Sequence, residues 1–345
     1  MMRFMEVSGA PFDRGFASGA LFKVALQRRV ERNRAALNDA SIQARAREVI
    51  KKTEAVFPDY VAEVRGKAAG AGLDEPALSL LMCPELVENF SACTSLVFTK
   101  GDGNIILSHN EDDDFQDDNL AMTKMRMPDG SWFASNDMDK YILGHGFSWN
   151  SHGIVKTVNY VRPIHETLDN ISRIFLQRYI TEASSIEDAI ERCQITQCAT
   201  GFHALVLDTN TKKAVSIEVA DSSVDIQDVD MYAHSNHYCH ESITHGNEVA
   251  DSGYNSPFRL SKTWELVRQL GSSASGDDAR AVLEYRGKDF DNSILVMKDE
   301  VKTDISWYTL VNFTIDTTDR KIHLRFRVDK TDDYVFAYDA FPKNI

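Results

Sequence analysis

Nothing in this 345-residue chain approaches the ~20 consecutive apolar residues a helix needs to cross a bilayer, so no membrane partner is expected. The opening Met1-Met2-Arg3-Phe4-Met5-Glu6-Val7 lacks the apolar core and cleavage site of an export signal and reads as a strand. Basic residues are scarce: 38 Lys and Arg against 52 Asp and Glu leave a net charge of −14. Without clustered Lys and Arg there is no footprint for nucleic-acid phosphates, and neutral or cationic small substrates fit better. Cysteines number five, odd and irregularly spaced (Cys83, Cys93, Cys193, Cys198, Cys239). A disulfide framework is therefore not expected, and reduced thiols and a cytoplasmic location are. Linkers rich in Pro, Gly or Ser, low-complexity tracts and repeats are all missing, which leaves one domain over residues 1–345.

What is present falls into two halves. After the first strand, Ser8 to Phe12 form a turn, and a helix follows with Phe16, Ala20 and Val24 as its stripe. Gly15 and Gly19 lie one turn apart on it; helix glycines cost about 1 kcal/mol against alanine, so close backbone packing is expected there. A second helix starts near Pro58, turns Val61, Val64 and Ala68 inward and stops at Gly70 to Gly72, and Asp74 caps a short third over 75–81. From Cys93 the pattern changes to strands at 93–99, 104–109, 121–127, 131–135 and 154–161. Helices follow at 168–182 and 185–194, then strands at 202–208 and 214–219. Ser256 and Pro257 read as N-cap and first residue of a helix whose buried stripe is Leu260, Trp264 and Val267. Another helix at 276–285 and strands at 306–316 and 321–328, joined at Asp316-Thr317-Thr318-Asp319, complete the chain. Long hairpins among helices predict an α+β class: two sheets packed between helical layers.

Cys93, in Ser91-Ala92-Cys93-Thr94-Ser95, is the most informative residue. It opens a strand paired through Lys100-Gly101-Asp102-Gly103 with a second strand that closes on Asn110-Glu111-Asp112. A thiol there is either a small buried hydrophobe or a nucleophile that needs a base and an oxyanion stabiliser. Breaking the peptide bond before Cys93 would supply the base, an α-amine of pKa about 7.7–8.0 on the same residue. Small Ala92 leaves room for a strained turn at that bond. Asn110 and Asp112 lie one hairpin away. Asn236, in Ala233-His234-Ser235-Asn236-His237, offers an N–H for an oxyanion, and Asn159 is a further donor.

Seven segments in order carry a resemblance. They are Gly9-x-Pro11-Phe12-x-x-Gly15-x-x-x-Gly19, the helix from Glu63 to Leu73, Cys93-Thr94-Ser95, Asn110-Glu111-Asp112, Asn150-Ser151-His152-Gly153, His234-Ser235-Asn236-His237 and Ser256-Pro257-Phe258-Arg259. Together they resemble the isopenicillin N acyltransferase-like (acyl-CoA:6-aminopenicillanic acid acyltransferase) family of N-terminal nucleophile (Ntn) hydrolases. The resemblance implies an αββα sandwich, a zymogen that cuts itself between Ala92 and Cys93, and amide chemistry through a Cys93 thioester. It further implies that Asp112 orients the new amine and that Asn236 sits in the oxyanion hole. Residues 1–92 and 93–345 would be an α and a β chain that stay associated. One departure stands out: the family acyltransferase carries an Arg after a Ser-Ile-Cys-like strand, whereas Ser293-Ile294-Leu295-Val296-Met297-Lys298 has none.

The expected activity is thus hydrolysis of a small N-acyl amide, with catalytic residues Cys93, Asp112, Asn236 and Asn110 and no cofactor. Asp113, Asp114, Asn159 and His237 are the candidates for substrate contact. Transfer of the acyl group to an amine is the alternative within enzymes; an uncut metal- or cation-binding protein is the alternative outside them. The acidic run Glu111, Asp112, Asp113, Asp114, Asp117, Asp118 reads as a solvated loop, as a recognition site for an amine-bearing substrate, or as a calcium chelator without the spacing of an EF-hand. His234, His237, Cys239, His240 and His245 fit no standard zinc spacing, and no metal is assigned to them.

Overall fold

The computed structural model describes residues 2–74, 77, 81–87, 92–114, 120–162, 170–194, 198–220, 223–244, 255–297, 307–327 and 332–342. Strand β1 (Phe4–Val7) leads into α1 (Pro11–Leu21), α2 (Lys23–Arg32), α3 (Arg34–Leu37), α4 (Ala40–Val56) and α5 (Pro58–Ala71). Next come β2 (Cys93–Thr99), β3 (Ile105–Asp114), β4 (Leu120–Arg126), β5 (Trp132–Met138), β6 (Ser148–Asn150) and β7 (Ile154–Val161). Helices α6 (Arg173–Thr181) and α7 (Ile186–Cys193) separate these from β8 (Gly201–Asp208), β9 (Lys213–Ala220), β10 (Ser223–Asp228) and β11 (Met231–His234). Helices α8 (Glu241–Thr244), α9 (Ser256–Val267) and α10 (Gly276–Leu283) precede β12 (Trp307–Asp316), β13 (Lys321–Phe326) and β14 (Asp332–Ala337).

The strands form two sheets. One runs β1-β4-β5-β6-β7-β8-β9-β10, the other β11-β2-β3-β12-β13-β14. Pairing is antiparallel except between β1 and β4. The sheets face each other across one apolar core: Phe313 of β12 stacks on Phe147 at 4.8 Å and on Trp149 of β6 at 5.9 Å. Helices α6 and α7 lie against the first sheet and α9 and α10 against the second. The architecture is the α+β αββα sandwich. Strands β2 and β3 are buried on both faces. Val97, Ile105 and Leu107 point between the sheets, while Leu96, Phe98 and Ile106 pack under α9 and α10. That is why they read as continuous apolar runs rather than alternating ones.

The expected helix breaks at Phe22 into α1 and α2, and its stripe faces outward: Phe16 and Val24 are exposed, while Arg14, Gly15, Ser18 and Gly19 of α1 are buried. The glycines decide this. A Cβ on Gly15 would lie 1.8 Å from the Glu63 carbonyl oxygen, and one on Gly19 2.0 Å from that of Lys67. In return, Cβ atoms on Gly66 and Gly70 would meet the Phe12 and Phe16 carbonyls at 2.0 and 2.2 Å. Two four-residue glycine spacings therefore let α1 and α5 pack backbone to backbone. Pairs Arg14–Glu63 and Lys67–Asp137 at 3.6 and 3.5 Å, with Arg178–Glu63 at 3.3 Å, bind them to the first sheet and α6.

Other boundaries shift. The acidic run is not a solvated loop at its start: residues 111–114 extend β3, and Glu111, Asp112 and Asp113 are buried. Asp117 and Asp118 lie outside the described residues, as do His245, Lys298 and most of the expected helix 75–81. Asn255 rather than Ser256 is the N-cap of α9. Strands β6, β10, β11 and β14 had no expectation, being short or dominated by polar residues at the sheet edges.

Replacing Gly66 by Ala forces α1 away from α5; the expected cost is about 1–3 kcal/mol or more, read as a lower thermal midpoint. Gly271→Ala, where a Cβ meets nothing within 4 Å, is the control that leaves the midpoint in place.

Candidate active site

The site is organised around the first residue of β2. In the ladder Cys93 pairs with Glu111, Thr94 with Asn110 and Ser95 with His109, while Ser95 also faces His234 of β11. Because side chains alternate across the sheet, this register sorts the polar groups onto two faces.

On the face between the sheets lies the thiol. Cys93 Sγ donates toward Glu111 Oε1 at 3.8 Å. Glu111 Oε2 contacts His109 Nε2 at 3.4 Å and accepts from Asn136 Nδ2 at 3.3 Å. His109 Nδ1 meets Ser95 Oγ at 2.8 Å, and Ser95 donates to Asn159 Oδ1 on β7 at 2.9 Å. Asn159 Nδ2 is buried with no hydrogen-bond partner among the described residues. The chain of contacts continues through His203, Ser216 and His240 to Asp225. Burial, then the neighbouring His234 and His240, keeps His203 well below the ordinary imidazole range.

On the other face and at the strand end the backbone of Cys93 is gripped. Its N–H donates to Asn236 Oδ1 at 3.0 Å, and the Asp112 N–H donates to the Ala92 carbonyl at 3.0 Å. Arg259, fully buried one turn into α9, donates to Cys93 O and Thr94 Oγ1, both at 2.7 Å, to Asn236 Oδ1 at 2.6 Å and to Asn255 Oδ1 at 3.0 Å. Asp112 Oδ1 accepts from Thr309 Oγ1 at 2.7 Å, and Oδ2 is buried without a partner among the described residues. Burial pushes the Cys93 thiol well up, and the Glu111 and Asp112 carboxylates push it further. Burial raises Asp112 to about 7 in spite of Arg259 and Thr309. The thiol is therefore protonated at rest, next to two carboxylates.

The other expected residues are placed less directly. Asn236 turns its Oδ1 to Cys93 and gives its Nδ2 to Tyr160 O at 2.9 Å. Asn110 lies on the helix side of β3, where it donates to Leu283 O at 2.8 Å and accepts from Asn312 at 2.9 Å, away from the thiol. Asp113 pairs with Lys140 at 2.7 Å, and Asp114 with Lys140 at 3.2 Å and Arg29 at 3.5 Å. Both carboxylates are thus matched by internal cations that bridge the sheets and α2. His237 Nδ1 meets Ser256 Oγ at 2.7 Å, and the same hydroxyl takes the Asn236 N–H at 2.7 Å.

Sequence reasoning assigned no role to Glu111 or Arg259. The signal for Arg259 was its place in Ser256-Pro257-Phe258-Arg259; burial of a guanidinium is invisible in one sequence. Glu111 was folded into an acidic run, and only the register with Cys93 separates it from its neighbours.

The family model for acyl-coenzyme A:6-aminopenicillanic acid acyl-transferase matches residues 98–330. The chain belongs to this family. The match begins downstream of Cys93, so the thiol's place at the site comes from geometry rather than from the matched segment. Among solved structures, two variants of conjugated bile acid hydrolase from Clostridium perfringens are similar. Each is 10% identical, over 73% of this chain and 95% of that one, with TM-scores of 0.46 and 0.48. The Caenorhabditis elegans ortholog of N-acylethanolamine-hydrolyzing acid amidase is 11% identical, over 70% of this chain and 100% of that one, with a TM-score of 0.46. No curated protein sequence matches the chain. Among the described residues no helix is long and apolar enough to cross a membrane.

The raised Asp112 carries a signed pH effect. An acid whose folded-state pKa, about 7, exceeds its unfolded value stabilises most below the unfolded value and loses that contribution as pH rises to 7. In a Cys93→Ala background, the intact chain should lose on the order of 1 kcal/mol per pH unit between about pH 4 and 7 that its Asp112→Asn derivative keeps. Urea midpoints of the two across that range test this; parallel curves reject it.

Proposed function

We propose that the chain is a self-processing cysteine Ntn amidohydrolase whose nucleophile is Cys93. The observation that carries this reading is the arrangement at the Ala92–Cys93 peptide. The carbonyl oxygen is held by the Asp112 N–H, the nitrogen by Asn236, and the thiol of the same residue lies against Glu111.

In processing, Sγ bonds to the Ala92 carbonyl carbon as the carbon–nitrogen bond breaks. The thiol proton leaves to Glu111 and the nitrogen of Cys93 gains one. Glu111 takes this part because the intact chain has no α-amine to act as base. The Asp112 N–H faces the oxygen on which charge develops. Water then cleaves the thioester and leaves a free thiol and a free amine on Cys93. Asp112 Oδ2, buried and without a partner among the described residues, suits the new ammonium, and Asn236 Oδ1 keeps its hold on the same nitrogen.

In turnover the Cys93 amine accepts the thiol proton and passes it to the leaving amine of a small N-acyl amide. The acyl group passes to sulfur and then to water. Asn236 belongs to the oxyanion site if its Nδ2 exchanges Tyr160 O for substrate; Asn159 Nδ2, buried and uncommitted on the thiol's face, is the second donor. Asn110 serves in support, through Asn312 and Leu283. Residues 1–92 and 93–345 stay together as one domain because β1 pairs with β4 and α5 shares the core with both sheets. Transfer of the acyl group to an amine is the second reading, favoured by the name of the matched family model.

Intact mass under denaturing conditions is the test. Two fragments divided before Cys93, with Cys93→Ala uncut, are expected; an uncut wild type overturns self-processing. Glu111→Gln should slow cutting about 10²–10⁴-fold; cutting at the wild-type rate removes Glu111 from the step. Release of acid from N-acyl amides, assayed with and without an acceptor amine, decides hydrolysis against transfer. An acyl-amine product that displaces the free acid selects the transferase.

A further inference from the structure

Glu218 of β9, His234 at the end of β11 and Cys239 just beyond it bring one carboxylate oxygen, one ring nitrogen and one sulfur within 4.8 Å of one another. The group bridges the two sheets, since β9 belongs to the first and β11 edges the second. The sequence shows no standard zinc spacing around His234 and Cys239, and it has no means of supplying Glu218.

Each partner is already oriented. Glu218 Oε1 takes the Cys239 N–H at 2.6 Å and Oε2 the His240 N–H at 3.0 Å. His234 Nδ1 lies 2.8 Å from the Ser235 carbonyl, which can only accept, so the proton sits on Nδ1. That leaves Nε2 facing Glu218 Oε1 at 2.9 Å. A proton on Nε2 joins the two as an imidazolium–carboxylate pair, and a metal ion can take that proton's place. A backbone carbonyl on the far ring nitrogen is also how metal-ligating histidines are aimed. His234 and Glu218 are fully buried, whereas Cys239 is exposed, its sulfur 3.4 Å from His237 O and interacting with the His234 ring. The exposed thiol supplies an entry path and the freedom to close the longest edge. Tetrahedral zinc with bonds of about 2.0–2.3 Å needs ligand separations of about 3.3–3.7 Å.

We propose that Glu218, His234 and Cys239 form a zinc site distinct from the nucleophile, with solvent in the fourth position. Sulfur and imidazole select zinc over calcium or magnesium. A Glu carboxylate and a Cys thiolate balance its two charges in a partly buried place. Bound there, the ion ties β9, an inner strand of the first sheet, to the edge strand β11 of the second, two residues from Asn236, which holds the Cys93 nitrogen.

The test is equilibrium dialysis of the chelator-treated full-length protein against zinc, with bound metal counted per chain. One zinc per chain is expected. Exposed Cys239→Ser, which leaves the core untouched, should weaken binding at least about tenfold, the lower end of what even an outer-shell loss costs. Cys93→Ala should bind as wild type does. No retained zinc overturns the site. So does binding that survives Cys239→Ser and disappears in Cys93→Ala, which would put the ion on the Cys93, His109 and Glu111 group instead. Because the readout is bound metal and Cys93→Ala is included, failure here is separate from failure of the proposed chemistry.

Discussion

Burial of the β2–β3 hairpin on both faces is the constraint on which the rest of the structure depends. A strand with solvent on one side can leave polar side chains to water; this one cannot. At its turn end the problem is absent, because Leu96, Phe98, Ile105, Ile106 and Leu107 are apolar. At its open end Cys93, Thr94, Ser95, His109, Asn110, Glu111, Asp112 and Asp113 are all buried, and each side chain needs a partner from a neighbouring element. Sheet one supplies Asn159 and Asn136, α9 supplies Arg259, β12 supplies Thr309 and Asn312, and Lys140 comes from beyond β5. The polar end of one hairpin thus determines what surrounding elements must carry.

The same constraint separates two electrostatic environments across one sheet. Around the Cys93 backbone the guanidinium of Arg259 meets four oxygen atoms at once, one more than a lysine ammonium has protons to donate. Around the sulfur, Glu111 and a row of histidines and hydroxyls line the face between the sheets. Such a thiol is inert until its proton has somewhere to go, which suits a group that must remain unreactive while the chain folds.

Much of the fold was legible because its elements are strongly patterned. Strands β2 and β7 fall at the expected boundaries, and the glycine spacing on α1 was rightly tied to close packing. The stripe across α1 and α2 was misjudged for the same reason: residues chosen for backbone contact are small, so the larger Phe16 and Val24 drew attention to the wrong face. At the site, Cys93, Asp112 and Asn236 were found together, because ordered motifs survive in one dimension. Glu111 and Arg259 were not assigned roles, because what distinguishes them is a ladder register and a buried charge. Asp113 and Asp114 looked free only because Lys140 and Arg29 are remote in sequence. Asn110 is two residues from Asp112 and shares its face of β3, opposite the face that carries the sulfur.

Cys93 is the first residue of β2 and Ala92 lies outside the ladder. The bond between them is therefore the one place near the hairpin where chain continuity and sheet continuity are independent. In the proposed processing, severing it breaks no residue pairing of the ladder; the Cys93 N–H already points toward Asn236, and the Ala92 carbonyl toward the Asp112 N–H. The proposed processing would need no remodelling step, only a change of bonding within a frame that is finished beforehand.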